Sequence, residues 1–223
     1  MIIWIKILFK MVKIIIPCSN CMPYLKYAVE SIINSTNFEK ILLIESESTD
    51  GTSEYCESIK SDKIEVFHIK REGLVKAINF GIKQADSDVY LTQADTIHFK
   101  LLGRDWLKEM EEIAKNENVG LVTSLRGYGV SGELYINGLT WVGTWSCYIP
   151  KRTIELVGYY DENMGPGDDI DYSYRVQLNN LSIIVSDFWV QHHRYTEHGN
   201  VDSSEKIKKM AEYFRSKYKI GEK

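Results

Sequence analysis

The sequence predicts an α/β fold, a central and mostly parallel sheet flanked by helices. Three observations lead there. Short apolar runs rich in β-branched residues alternate with stretches whose apolar residues recur at helical spacing. The runs are continuous, as in strands covered on both faces. At 223 residues, 44% hydrophobic and 26% charged, the chain has the composition of an ordinary globular protein and can bury one substantial core.

Residues 13–17 (KIIIP) read as a buried strand closed by proline, and residues 24–34 as a helix. Residues 40–44 (KILLI) form a second strand, followed by a polar loop over 45–52. A short helix over 53–60, a strand over 63–69 (KIEVFHI) and a helix over 73–85 come next. A fourth strand begins at 89–91, with Asp95 expected at its end. Strands alternating with helices imply parallel pairing and helices on both faces. The second half is less regular. Residues 106–116 predict an amphipathic helix and 119–124 a strand, while five glycines among aromatics over 127–143 predict hairpins and loops. Residues 165–167 form a tight loop into an Asp-rich helix start, 181–185 a late strand, and the tail from Ser203 a lysine-rich amphipathic helix with a solvated face.

The organisation expected is a single domain over 13–200, with a nucleotide-binding half (13–98) and an acceptor half (99–200). Residues 1–12 are an N-terminal extension or edge strand, and 201–223 a basic C-terminal helix. The oily residues 1–10 reach about half the length of a membrane span and lack a signal-peptide cleavage site. A net charge of −4 speaks against a nucleic-acid binder. Cys18, Cys21, Cys56 and Cys147 form no regular disulfide framework, and the single CxxC has no second pair to complete a zinc site, so reduced thiols and a cytoplasmic setting are expected.

In sheets of this kind ligands bind beyond the carboxyl ends of the strands. The residues to inspect are therefore Pro17-Cys18-Ser19-Asn20, Glu45-Ser46-Glu47, Arg71-Glu72-Gly73 and Gln93-Ala94-Asp95. No GxGxxG or GxxxxGK follows the first strand, which leaves a dinucleotide site and a P-loop unsupported. A lone carboxylate such as Asp95 holds magnesium or manganese only when phosphates and water complete the shell; capping is the other role open to it. Asp168, Asp169 and Asp171 repel one another unless a helix N-terminus compensates them. Asp171 can pair with Arg175 four residues on, and a carboxylate left unpaired is a candidate general base. His192 and His193 offer an imidazole to a metal. Trp141, Trp145, Tyr128 and Tyr135 offer flat faces to sugar rings or serve as core residues.

In order along the chain, these segments resemble the inverting glycosyltransferases of the large GT-A superfamily, family-2-like, which includes bacterial rhamnosyl- and galactosyltransferases. Residues 14–20 stand where that family has a strand ending in Pro and Asn, and 44–52 match its VDDGSTDGT loop. Residues 73–82 match its G…ARNxGI helix, 157–162 its VGGFDE, and 167–171 its GEDVD. The resemblance spans about Lys13 to His198 and implies a GT-A fold. It implies a nucleotide-diphosphate sugar as donor, held by Pro17, Ser19, Asn20, Glu45, Arg71, Gly73, Asn79, Gln93, Ala94 and Asp95. It implies Mn2+ or Mg2+ on Asp95 with His192 or His193, Asp169 as catalytic base, and Trp145 and Asp168 on the acceptor side. A glycan, a lipid-linked molecule or a protein would be the acceptor, and the oily start and basic tail suit peripheral contact with a membrane surface.

The chain departs from the pattern at four places. Glu45 replaces Asp, Gln93 the first acid of the DxD motif, Ile78 the helix arginine, and Asp168 a Glu. Arg71 or Lys76 is placed to substitute for that arginine. The alternatives are a catalytically weak nucleotide-sugar binding module and a sugar nucleotidyltransferase. The latter would favour a glycine-rich, basic loop after the first strand, which residues 18–22 are not.

Overall fold

A computed structural model describes residues 12–132, 135–193 and 204–221. Of the extension or edge strand expected over residues 1–12, all but Val12 lies outside them, as does the stretch around His198. The first half alternates as expected: β1 (Lys13–Cys18), α1 (Tyr24–Ile33), β2 (Lys40–Ser46), α2 (Thr52–Ser58), β3 (Ile64–Ile69), α3 (Leu74–Ala85) and β4 (Val89–Leu91). The second half adds β5 (Thr96–His98), α4 (Trp106–Ala114), β6 (Val119–Thr123), β7 (Tyr128–Val130), β8 (Thr140–Val142), β9 (Cys147–Ile149) and α5 (Lys151–Val157). A 3-10 turn (Gly165–Gly167) then opens into α6 (Asp168–Leu178), followed by β10 (Ser182–Val185), β11 (Val190–His192) and α7 (Ser204–Tyr218).

Seven strands form one sheet in the order β10-β6-β9-β4-β1-β2-β3. β1 runs parallel to both β2 and β4, so the chain reverses its direction of sheet growth beside β1. Only β9 is antiparallel to its sheet neighbours, β4 and β6. The expected central, mostly parallel sheet flanked by helices is therefore present. The pleat divides each apolar run between two cores. Ile14, Ile16, Ile41 and Leu43 pack against α1 and α4, whereas Ile15, Leu42 and Ile44 pack against α3 and α6. Burying each such side chain contributes about 1.5–3 kcal/mol. On the second face α3 lies so close that a Cβ on Gly81 would come within 2.5 Å of Ile15 Cγ2.

Two expectations are corrected. β4 stops at Leu91, so Asp95 does not end a sheet strand; it sits in a turn that opens β5, which pairs antiparallel with β11. The tail helix does not present a merely solvated face. Ala211 and Phe214 are buried in a third core with Tyr135, Leu139, Met164 and Ile170. Among the described residues, no helix is long and apolar enough to cross a membrane.

Candidate active site

Beyond the carboxyl ends of β1 and β2, two loops are laced together. Asn20, at φ 46, accepts a hydrogen bond from Thr49 N at 2.7 Å, and its own N–H donates to Ser48 Oγ at 3.0 Å. Ser19 Oγ donates to Ser46 O at 2.8 Å, and Met22 N to Asp50 Oδ2 at 2.9 Å. Pro17 is buried in β1, while Arg71 and Gly73 stand exposed ahead of α3, with Arg71 N bonded to Glu47 Oε2 at 3.1 Å. These contacts make a preformed, polar rim of backbone and short side chains.

Glu45 lies beneath this rim, 2% exposed. Its Oε1 accepts from Ser48 N at 2.7 Å and its Oε2 lies 2.7 Å from His68 Nδ1, while His68 Nε2 lies 2.6 Å from Glu57. Burial alone would raise the Glu45 pKa, but the bonds to Ser48 and His68 hold it below the usual carboxylate range. Glu57 and Glu45 in turn raise His68. Asn79 is also committed. Its amide donates to Tyr160 O at 2.9 Å and to Glu162 at 3.2 Å, and its carbonyl accepts from Tyr160 N at 3.0 Å. In this structure Asn79 clamps α3 to the segment after α5.

The turn after β4 meets the end of β11. His192 Nδ1 lies 3.2 Å from Asp95 Oδ1 and 3.2 Å from Thr96 Oγ1. The pairing of β5 with β11 puts these residues in register, Thr96 opposite His192. His193 differs. Its backbone N donates to Asp95 O at 3.0 Å, and its ring lies 6.3 Å from the Tyr24 ring. The Trp145 indole stacks on His192 at 4.9 Å and 7°, and its Nε1 donates to Arg126 O at 3.0 Å. Gln93 donates to Thr144 Oγ1 at 2.9 Å, and Ala94 is buried beside Asp95.

A divalent cation fits this donor set in part. Carboxylate and imidazole oxygen and nitrogen donors are in contact. Among the described residues no group of three or more His, Cys, Asp or Glu side chains forms a cage, so phosphate oxygens and water would supply the rest of the shell.

The acidic turn forms the third part. Asp168 and Asp169 begin α6, and no side chain caps that helix. Asp168 is 8% exposed and its Oδ2 has no hydrogen-bond partner among the described residues. Asp169 Oδ1 accepts from Ile170 N at 2.8 Å. Burial, with repulsion from Asp169, raises the Asp168 pKa well above the carboxylate range, and burial pushes Asp169 up to about 7. Asp171 is fully buried but compensated: Arg175 Nε donates to it at 2.8 Å, as the spacing of four predicted, and Lys217 and Tyr218 of α7 add bonds at 2.6 and 2.7 Å. A carboxyl that keeps a proton near neutrality and one held by two cationic side chains thus lie within one helical turn.

Sequence reasoning did not find His68 under Glu45, Thr96 on His192, or Lys217 and Tyr218 on Asp171. Each contact joins residues far apart in the chain, and no local spacing signals it.

The profile of glycosyl transferase family 2 matches residues 13–168. An uncharacterized glycosyltransferase of Rickettsia felis is 40% identical over 105 residues, which are 45% of this chain and 17% of that protein. One of Rickettsia bellii is 36% identical over the same share of this chain and 15% of its own length. The chain therefore spans about one sixth of these relatives. Among solved structures, the mannosyltransferase PcManGT from Pyrobaculum calidifontis, in complex with GDP-Man and Mn2+, superposes with a TM-score of 0.62 at 18% identity, over 79% of this chain and 54% of that one. S. aureus TarS 1-349 in complex with UDP superposes with a TM-score of 0.60 at 18% identity, over 80% and 59%.

Proposed function

The chain belongs to glycosyl transferase family 2, and from that premise we propose that it moves a hexose-like sugar from a nucleotide-diphosphate donor to an acceptor hydroxyl, with inversion and with a divalent cation, Mn2+ or Mg2+. The observation that carries the metal-assisted reading is the contact of Asp95 with His192 beneath Trp145. The donor would lie over the rim of Pro17, Ser19 and Asn20, its diphosphate toward Asp95. Asp95 and His192 would hold the cation, which when bound stabilises charge building on the leaving diphosphate.

Asp169 takes the acceptor's proton. Its pKa near 7 matches a base that must be free to accept a proton and then release it. Attack from the side opposite the leaving group inverts the anomeric centre. Asp168, kept protonated by burial, has a proton to donate to an acceptor oxygen, and the face of Trp145 offers an apolar surface to a sugar ring. A glycan, a lipid-linked molecule or a protein remains the proposed acceptor, with peripheral contact at the cytoplasmic membrane surface.

A binding module without turnover is the second reading. It is favoured by the full engagement of the Glu45 carboxylate with Ser48 and His68, and by Gln93 in place of an acid. Thermal shift with GDP-mannose and UDP, with and without manganese, tests the donor site, since ligand bound to the native state raises apparent stability. Stabilisation that needs manganese and is lost in Asp95→Asn is expected. Stabilisation indifferent to both manganese and Asp95→Asn would remove the metal from the account.

A further inference from the structure

Asp161 and Asp171 come from two separate family-like segments, yet one lysine joins them. Lys217 Nζ lies 2.8 Å from Asp161 Oδ2 and 2.6 Å from Asp171 Oδ1. Tyr213 adds a bond to Asp161 at 3.1 Å and Tyr218 one to Asp171 at 2.7 Å, so a single face of α7 serves both carboxylates. That face is also packed: Phe214 is fully buried, in ring contact with Tyr135 at 5.4 Å and Tyr174 at 5.4 Å. The acidic turn is held between the two sides. A Cβ on Gly165, at φ +54, would stand 3.2 Å from Met210 Sδ of α7, and one on Gly167 would stand 2.7 Å from the Tyr135 hydroxyl.

We propose that Lys217 is a positioning residue for Asp169: through Asp171 and Asp161 it docks α7 against the first turn of α6 and neutralises the carboxylate that would otherwise face the Asp168–Asp169 pair. The inference rests on Asp169 being the base. Removal of Lys217 leaves Asp161 and the fully buried Asp171 short of a cation, and Asp171 already repels Asp168. Arg175 remains on Asp171, but it also serves Val157 O and Tyr159 O at 2.8 Å each.

Among the described residues, few other groups near the pair carry a variable charge. Cys147 of β9, Tyr135 and Tyr160 lie near it, and burial first of all raises the pKa of each, so they stay neutral over the working range. Asp168 shares the site and is kept protonated. Asp171 acts on this pair through Asp168, which it repels, and Arg175, Lys217 and Tyr218 are the groups that hold Asp171.

The test is a titration of the full chain labelled with 13C at the aspartate carboxyls, with Asp169→Asn identifying the Asp169 resonance. Lys217→Met is expected to raise the Asp169 midpoint by about one pH unit, the effect of an uncompensated neighbouring carboxylate, and Lys217→Arg to restore it. An unchanged midpoint in a folded Lys217→Met overturns the proposal. If that variant does not fold, Lys217→Gln, which keeps the polar reach, carries the same expectation and the same contradiction. Failure of the base reading is separate: an Asp169→Asn chain that turns over donor like the wild type removes Asp169 as base whatever the titration shows.

Discussion

Asp169→Asn should make the protein more stable above neutral pH and leave it nearly unchanged in acid. Burial moves the Asp169 carboxyl from an ordinary 3.8 up to about 7. In an unfolded chain the group ionises near its ordinary value. Between these two values the unfolded state holds fewer protons than the native one, so stability falls as pH rises through that window. With ~1.36 kcal/mol for each unit, the native state gives up about 4 kcal/mol by the time the carboxyl is ionised. Asparagine has the same shape, its carbonyl can still accept from Ile170 N, and it never carries the charge. The gain in Asp169→Asn should thus be close to zero below about pH 4 and reach about 4 kcal/mol above pH 7. For a chain of this size that is on the order of ten degrees in melting temperature. Urea unfolding of both proteins near pH 4 and near pH 8 measures it. An equal effect at the two pH values, or a loss of stability at the higher one, would refute a carboxyl held up by burial.

The Glu45–His68–Glu57 bridge carries its own pH signature. Glu57 and Glu45 raise His68, so its contribution is full below about pH 6.5 and is lost as pH rises through the raised value. Glu45 is lowered, so its part is present above its ordinary 4.5 and lost as pH falls through the folded value. His68→Gln should cost about 1 kcal/mol, small because the imidazole is largely exposed, and mainly in the window between; unfolding curves that differ equally at all pH values would contradict this. Phe214→Ala should cost about 3–5 kcal/mol, as for other fully buried aromatic side chains. A loss below about 1 kcal/mol in urea unfolding would mean that α7 is not docked as described.

The first half of the fold was legible because each strand is a continuous apolar run and each helix a periodic one, so local pattern and final environment agree. Ile14, Ile15 and Ile16 divide between two cores as a doubly covered strand requires. The second half was harder. β9, only Cys147–Ile149, is antiparallel in the interior of the sheet, and a three-residue strand carries too little pattern to be read. α5 was missed because its one fully covered position is Thr153, which leaves no apolar stripe. The tail was misread because its lysines dominate the pattern, although Lys217 directs its charge to the buried Asp171 and the half-buried Asp161.

The site followed the same division. The acidic turn and the loops after β1 and β2 are contiguous in sequence and could be placed in advance. The meeting of Asp95 with His192 depends on a two-strand pairing between residues nearly a hundred positions apart, which no spacing announces. The engagement of Asn79 with Tyr160 is likewise visible only in three dimensions, and it assigns a clamping contact to a residue expected at the nucleotide.

Turnover of a nucleotide sugar by wild type and Asp169→Asn, side by side with manganese present, tests the central claim most directly. GDP-mannose and a set of UDP-sugars serve as donors, and released nucleotide diphosphate is the signal. The account predicts turnover by the wild type and a loss of about 10²–10⁴-fold in Asp169→Asn. Equal rates in the two folded proteins, or binding of donor by both with no release from either, would contradict it.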